Sequence, residues 1–425
     1  MKKLVCFILI LCCIASPKVK GQEVLYDQFK TDLGITINSY TENWTGEKLV
    51  QVYNELLENA HGNEIKYLKE INLYKDNPSG GNEEGVYNGV YKKISILGKT
   101  KVVLTKDCSI NLYNLSDKKT VDDFAKTLSH EYGHHFTLFY LIKFENKTFE
   151  DFKTTKLFKA RKLQEYSKVT NDYTNGHEWS IIEICAEDYV QLYGSPNAKK
   201  IVDFKDINER YQDENINETI RYDYGIYNLN PQENNWIPLV LEVEGLKEYW
   251  ENASGIQSTI LQSTKPQIAL VKINDLGYNK FQYVFRWTKS ENQLGNEADY
   301  YTLITSDLQK EIITPIHTVS KEEELQGIVG SIKMDTGNRI MYYTDSFLEK
   351  EMLFKVYAIY HQGGVISSQE LKVNFSEPQV NQIQEGIEEL KLPDEAGYNQ
   401  EEELSIFDKM FNYIIEKIIQ LLYEE

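Results

Sequence analysis

The residues of this chain best suited to chemistry lie in the stretch LSHEYGHHFT, residues 128–137, which holds three of the seven histidines among 425 residues. His130 and His134 are four positions apart, so in a helix they lie one above the other on the same face. Two imidazole nitrogens placed in this way can bind one zinc ion at about 2.0–2.1 Å. The spacing therefore predicts two metal ligands on one helix.

Glu131 follows the first of these histidines and lies on the same helical turn. Zinc lowers the pKa of a bound water from about 15.7 towards about 7, so a neighbouring carboxylate can take its proton near neutral pH. We therefore predict that Glu131 is a general base, which delivers hydroxide to a carbonyl and then returns the proton to a leaving nitrogen. His135 points about 100° away from His134, and we expect it to pack beside the site rather than to bind metal.

A catalytic zinc needs a third protein ligand and an open position, and the segment EICAEDY (183–189) offers the best candidates. Glu183 and Glu187 are four apart on a predicted helix, so one can bind metal while the other hydrogen-bonds a ligating imidazole. The apolar face of that helix would press it against the first one, which favours Glu183 as a ligand. Two other interpretations stay open: Ser180 and Glu183 form a capping box, or Glu187 binds metal while Glu183 caps the helix.

Both motifs lie in segments whose patterns predict helices. Thr120 and Asp123 form a helix start signal, and apolar residues recur at helical spacing over residues 121–140. A second helix is expected to begin at Ser180 and to end at Gly194. The ligand candidates are therefore expected on two helices that face each other.

The region before these helices has a mixed pattern. A helical stretch near residues 47–60 is followed by three runs rich in β-branched and aromatic residues, YLKEINLYKD, VYKKISI and CSINLYN, which predict strands. The glycine-rich stretch PSGGNEEG between the first two runs predicts a loop. Residues 141–179 are polar with little periodicity, and we expect them to form much of the cleft wall.

LSHEYGHH followed by EICAEDY resembles the gluzincin metallopeptidases, and within them the zinc domain of anthrax lethal factor and the exported Pro-Pro endopeptidases. The resemblance covers about residues 85–195 and implies a zincin-like α+β fold, bound Zn2+ and peptidase activity. It also implies that Glu183 is the third ligand and that Glu187 hydrogen-bonds a ligand residue without binding the metal itself. These motifs are specific for zinc and for the helix pair, but not for a substrate.

One position departs from the pattern of that group. Its members place a tyrosine seven residues before the ligand glutamate to stabilise the oxyanion, whereas this chain has Gly176 there. Tyr173 and His177 are nearby substitutes, because either side chain could donate a hydrogen bond to the tetrahedral intermediate. We carry both forward as candidate catalytic residues.

The pattern changes after residue 255. Runs such as YVFRWT, ADYYTLIT and LFKVYAIYHQGG alternate apolar and polar residues between turn signals, which predicts a β-sandwich of about 110 residues. This region resembles a fibronectin type III domain with Trp287 as its core tryptophan, and the resemblance implies no chemistry.

The ends of the chain complete the expected organisation. Lys2 and Lys3 precede an apolar run over residues 4–15, which is typical of an export signal and too short to span a membrane as a helix. The last residues show an apolar stripe at helical spacing, with acidic flanks that favour docking or self-association over membrane attachment. The expected order is a signal peptide (1–21), a zincin-like metallopeptidase domain (22–255), an all-β sandwich (256–375), an acidic linker (376–403) and an amphipathic C-terminal helix (404–425).

Composition narrows the partners and the redox chemistry. A formal charge of -19 argues against binding to nucleic acid or to an anionic surface through bulk charge. Three of the five cysteines lie in the signal segment, which leaves Cys108 and Cys185. We predict two free, buried thiols rather than one bridge.

These features together predict a secreted or cell-surface zinc metalloendopeptidase that acts on a protein or peptide substrate. The alternative is a catalytically inactive, zinc-stabilised surface or matrix-binding protein. The presence of Glu131 disfavours this alternative, because structural zinc sites have no open position and need no base.

Overall fold

The computed structural model describes residues 24–96, 99–204, 225–335, 337 and 339–376. The predicted signal peptide, the linker beyond residue 376 and the C-terminal helix lie outside these residues. Within the described part of the chain, no helix is both long and apolar enough to cross a membrane. The described residues form an α+β region followed by a β-sandwich, which agrees with the predicted fold class at this level.

The α+β region combines helices with one mixed sheet and a separate hairpin. Its helices are α1 (Glu47–Glu58), α2 (Ala125–Glu145), α3 (Lys156–Ala160), α4 (Ile181–Tyr193) and α5 (Leu246–Ser254). Its strands are β1 (Asp27–Lys30), β2 (Thr36–Tyr40), β3 (Leu68–Tyr74), β4 (Gly85–Asn88), β5 (Tyr91–Ile96), β6 (Lys99–Leu104) and β7 (Cys108–Leu112). The three predicted strands correspond to β3, β5 and β7, whereas β1, β2, β4 and β6 were not predicted.

The mixed sheet has the order β1-β2-β3-β7-β4, with β2, β3 and β7 parallel and with β1 and β4 antiparallel at the edges. One row of amide side chains crosses four strands at distances of 2.8 to 2.9 Å, and it consists of Gln28, Asn38, Asn72 and Asn111. The next row along the strands points to the opposite face and is fully buried, and it consists of Ile37, Ile71 and Ile110. Because side chains alternate between the two faces, a slip of one residue would put the amides into the apolar core.

Helix α2 lies against this sheet and also packs on α4. A 3-10 turn over Val121–Asp123 precedes α2, with the predicted Thr120 and Asp123 capping box, so the helix itself begins four residues later than expected. Gly133 is at the crossing of α2 and α4, where an added Cβ would lie 2.9 Å from the carbonyl oxygen of Ala186. The absence of a side chain at position 133 therefore allows the two helices to approach closely.

Two antiparallel sheets form the second region. Its strands are β8 (Ile268–Gly277), β9 (Lys280–Trp287), β10 (Tyr300–Ser306), β11 (Ile313–Ser320), β12 (Gln326–Asp335), β13 (Ile340–Thr344), β14 (Glu351–Ile359), β15 (Val365–Ser367) and β16 (Leu371–Asn374). One sheet has the order β13-β12-β9-β8 and the other β11-β10-β14-β15, with β16 also paired to β14. Trp287, Phe285 and Phe354 belong to the core between the sheets, so Trp287 is buried as predicted.

The sandwich packs directly on the helix that carries the predicted third ligand. An apolar cluster joins Val190 of α4 to Ile304 of β10 and Tyr357 of β14. Tyr227 donates a hydrogen bond of 2.6 Å to the carbonyl oxygen of Gly363, in the turn between β14 and β15. The two regions therefore share a packed interface.

Both cysteines beyond the signal segment lie in the α+β region. Cys108 and Cys185 are free and buried, which confirms the prediction of two thiols. Cys108 begins β7, and Cys185 lies on α4.

Candidate metal centre

Two histidines of α2 and one glutamate of α4 converge on the wall of a cleft. Nε2 of His130 lies 3.0 Å from Oε2 of Glu183, and Nε2 of His134 lies 3.3 Å from the same oxygen. The candidate ligand atoms of these three residues all lie within 4.8 Å of one another. We call His130, His134 and Glu183 the cleft cluster; among the described residues it is the one group of this kind found.

Glu187 contacts the cleft cluster through the other ring nitrogen of His130. Its Oε1 lies 3.2 Å from Nδ1 of His130, the nitrogen that faces away from Glu183. Ser180 makes no side-chain cap on α4, so the capping-box interpretation of Glu183 is wrong. The geometry also separates the two glutamates in the way that the resemblance implied, with Glu183 among the imidazoles and Glu187 behind one of them.

Glu183 and His130 shift each other's pKa in opposite directions. Burial tends to raise the pKa of Glu183, but the facing imidazoles of His134 and His130 hold it below its usual range. Burial tends to lower the pKa of His130, but its hydrogen bonds to Glu183 and Glu187 raise it well above the ordinary value. Two imidazoles and a carboxylate are a suitable donor set for a zinc ion, which would replace the proton on His130.

Glu131 is buried beside the cleft cluster, next to strand β4. A Cβ at Gly85 would lie 2.7 Å from the Glu131 side chain, so the glycine leaves room for the carboxylate. Burial raises the pKa of Glu131, while the charges of His134 and His130 act in the opposite direction. A carboxylate with a raised pKa in a cleft is suited to accept and return a proton.

Tyr173 and His177 both reach the cleft cluster from the segment before α4. The Tyr173 hydroxyl donates to Oε1 of Glu183 at 2.9 Å, and Nε2 of His177 lies 3.5 Å from that oxygen. The two rings are stacked with centroids 5.0 Å apart. Gly176 between them has φ +111°, and an added Cβ would meet the Glu178 carboxylate at 2.5 Å, which explains why a tyrosine does not fit at this position.

Glu233 is a further residue of the site that sequence reasoning missed. Its Oε2 lies 2.7 Å from Nδ1 of His177, and this hydrogen bond is the main cause of the raised pKa of His177. Glu233 lies in a polar loop far along the chain from His177, and no local pattern connects the two residues.

His135 is turned away from the cleft cluster, as expected. Its Nδ1 lies 3.0 Å from the Tyr87 hydroxyl and its Nε2 lies 2.7 Å from the carbonyl oxygen of Glu64. Burial lowers the pKa of His135 to about 4, so the imidazole is neutral at physiological pH. His135 therefore fixes Tyr87 of β4 beside the helix.

The cleft next to the cluster has a volume of about 940 Å³. Because positions four apart share a helix face, Lys126 and Leu138 lie one turn before and one turn after the histidine pair. Around Lys126 the lining is polar, and Thr127 donates to Glu84 at 3.2 Å. Leu138 and Phe149 add apolar surface to the lining, and Thr148 and Glu150 on either side of Phe149 are polar. As expected, part of the wall comes from residues 141–179.

Strand β4 forms another wall of the cleft and was not predicted. It runs beside α2 in the same direction, because Gly85 lies at Glu131 and Gly89, just after the strand, lies at Leu138. A run of only four residues, none of them buried, shows too little alternation to be recognised as a strand.

One family model matches residues 46–180, which is less than half of the chain, and it describes a family of unknown function. The comparisons with curated proteins and with solved structures found no match. The match covers α2 with its three histidines and ends before Glu183.

Proposed function

We propose that this chain is a zinc-dependent metalloendopeptidase. The observation that carries the proposal is the convergence of His130, His134 and Glu183 within 4.8 Å, with the Glu131 carboxylate beside them in an open cleft. Three protein ligands and a base in a cleft are the requirements of a hydrolytic zinc site, whereas a structural site uses four protein ligands.

Zinc held by the cleft cluster would polarise a substrate carbonyl and make water acidic enough to lose a proton near neutral pH. Glu131 accepts that proton and passes it to the leaving nitrogen. Glu187 holds His130 in the orientation that presents Nε2 to the metal. Tyr173 and His177 lie near Oε1 of Glu183, the oxygen that does not face His130 and His134, and they are the candidate hydrogen-bond donors to the oxyanion.

The edge strand β4 supports an extended peptide as the substrate. An edge strand offers backbone groups with which another chain can pair, and β4 lies along the cleft beside the cleft cluster. Leu138 and Phe149 supply apolar surface for a substrate side chain, and Thr148 and Glu150 supply polar groups next to it.

The finer fold assignments are part of the same proposal. A mixed sheet with an antiparallel edge strand over the HEYGH helix supports a zincin-like domain. The sandwich sheets β8-β9-β12 and β11-β10-β14-β15 support a fibronectin type III-like domain. Export remains a proposal from residues 1–21, and expressing the chain with and without them and measuring secreted protein tests it.

A peptide-library assay with zinc-loaded protein and the Glu131→Gln variant tests the function. We expect the variant to keep its zinc and to lose about 10²–10⁴-fold in peptide hydrolysis, because only the proton acceptor is removed. Glu150→Gln is a matched control, since Glu150 lines the cleft but pairs with Lys93 at 2.6 Å. It should keep activity within a few-fold.

Full activity of Glu131→Gln would contradict the proposal. If the wild-type protein binds zinc but cleaves no peptide in a diverse library, the inactive surface or matrix-binding alternative is favoured instead.

A further inference from the structure

A second cavity lies between the α+β region and the sandwich, and none of the cleft cluster residues lines it. Its volume is about 520 Å³. Four segments line it: the end of α1 with the residues after it, residues 192–199, residues 256–259, and the turn at 361–363 between β14 and β15. Both regions of the chain therefore contribute walls to this junction cavity.

Lys199 is the most unusual residue of the junction cavity. Its side chain is only 8% exposed, and its stem lies against Gly363, where an added Cβ would meet Cδ of the lysine at 2.5 Å. Within the described residues, its ammonium group has neither a hydrogen bond nor an ion pair. Burial lowers the pKa of Lys199 to about 8, and no neighbouring charge contributes to the shift. A largely buried lysine without a counter-charge is costly, so a function is expected for it.

Other groups around the junction cavity suit an anion. His61 and His361 both line it, and Nδ1 of His61 lies 2.8 Å from the carbonyl oxygen of Asn59, so the imidazolium form of His61 can donate from Nε2 to an anion. Ser258 and Thr259 are also among the lining residues. Glu58 is the one carboxylate among the lining residues, and it is exposed to solvent, where its charge is screened.

We propose that the junction cavity binds a small multivalent oxyanion, of the phosphate or dicarboxylate class, with Lys199 as its main cationic contact. The anion supplies the counter-charge that the protein lacks at this lysine, and His61 and His361 contact it from the rim. Because the walls come from both regions, the bound anion holds the turn at 361–363 against the α+β region. This site is independent of the proposed peptidase activity.

The test is thermal unfolding of the whole protein in inorganic phosphate or malonate, compared with chloride at the same ionic strength. A ligand that binds only the folded state raises the unfolding temperature, and we expect phosphate, malonate or both to raise it by several degrees at millimolar concentration. Comparing the two anions distinguishes a phosphate site from a carboxylate site. A His130→Ala variant should respond in the same way, which excludes binding at the cleft cluster.

Lys199→Met should lose this response, and it should unfold at a higher temperature than the wild type in chloride, because an unpaired buried charge has been removed. Lys355→Met is the matched control, since Lys355 is also largely buried but has Glu370 at 3.4 Å. That variant should keep the response to the anion.

Two results would overturn the proposal: neither anion acts beyond chloride, or Lys199→Met responds as the wild type does. If Lys199→Met does not fold, reductive 13C-methylation of the wild-type protein provides a second measurement. The Lys199 signal, assigned with Lys199→Arg, should move as phosphate or malonate is added, and a signal that stays in place under both anions refutes the site.

Discussion

Helix α2 carries two polar clusters that differ in how their hydrogen bonds are satisfied. In the cleft cluster, the candidate ligand atoms of His130, His134 and Glu183 all lie within 4.8 Å of one another. In the second cluster, which we call the Glu64 cluster, the fully buried Glu64 carboxylate accepts hydrogen bonds from Tyr132 at 2.8 Å and from Tyr140 at 2.6 Å. Each carboxylate oxygen of Glu64 thus has a hydroxyl donor, whereas Oε2 of Glu183 faces two imidazole nitrogens.

This difference separates the adjacent residues His134 and His135 by role. His135 has a partner on each ring nitrogen, from Tyr87 and from Glu64, so it has no capacity left for a ligand. His134 turns Nε2 to Glu183, and its buried Nδ1 has no hydrogen-bond partner. Satisfied donors and acceptors are typical of a structural cluster, and convergent candidate ligand atoms indicate a binding site.

The largest expected effect comes from breaking the cleft cluster with Glu183→Ala. This change removes one of three ligands, so we expect loss of bound zinc and of detectable peptide hydrolysis, measured by metal analysis and by the library assay. Stoichiometric zinc in the purified variant would show that Glu183 is not a ligand.

Breaking the Glu64 cluster should give the opposite result. Glu64→Leu leaves two buried tyrosine hydroxyls without an acceptor, so we expect the free energy of unfolding to fall by about 3 kcal/mol. Zinc content should be unchanged. The triple variant Glu64→Leu, Tyr132→Phe, Tyr140→Phe is the control, and it should recover much of the loss because no unpaired hydroxyl remains; failure to recover would point to another cause.

The pKa of His135 provides a pH-dependent test of its structural role. Its folded pKa of about 4 lies below the ordinary value of 6.5, so the unfolded chain binds the proton more tightly. The contribution of His135 to the free energy of unfolding is therefore fully present above about pH 6.5. It falls by about 2–3 kcal/mol as the pH falls towards 4. Urea unfolding of metal-free protein at pH 7 and pH 4.5 should show a smaller loss in His135→Gln. An equal loss in both proteins would assign the pH dependence to other groups.

The smallest effect is expected from Glu233→Gln, which keeps the shape of the partner of His177 but removes its charge. If His177 stabilises the oxyanion, its orientation affects the transition state more than substrate binding, so kcat should fall a few-fold while KM stays constant. An unchanged kcat, together with full activity of His177→Ala, would leave Tyr173 as the candidate donor.

Local chemistry explains which parts of this site could be predicted from sequence. The proximity of His130, Glu131 and His134 was predictable because these positions are related by helix geometry alone. Glu183 was predicted from its motif and from the apolar face of its helix, and the distances from Glu183 and Glu187 to His130 come from the packing of α2 on α4. Glu233, and the donors to Glu64, come together only through tertiary packing.

For the fold, too, elements with a strong local pattern were predicted and elements without one were not. Long helices and strands with strong alternation were predicted, including α2, α4, β3 and β14. Strands such as β1 and β4 were missed because they have four residues each, are not buried and contain no clear alternation. For β4 the consequence matters most, because it forms a wall of the cleft.

The close contact at Gly133 has a consequence for how this chain can vary. Gly133 lies between His130 and His134, the two candidate ligand histidines, and an added Cβ there would also meet Cα of Ala186 at 3.1 Å. A larger residue at either position separates the two helices, and with them His130 and His134 from Glu183. Positions 133 and 186 are therefore energetically coupled, and a double-mutant cycle on zinc affinity should give a non-additive result. Substitution in this part of the HEYGH motif is limited by the spacing of the helices as well as by metal chemistry.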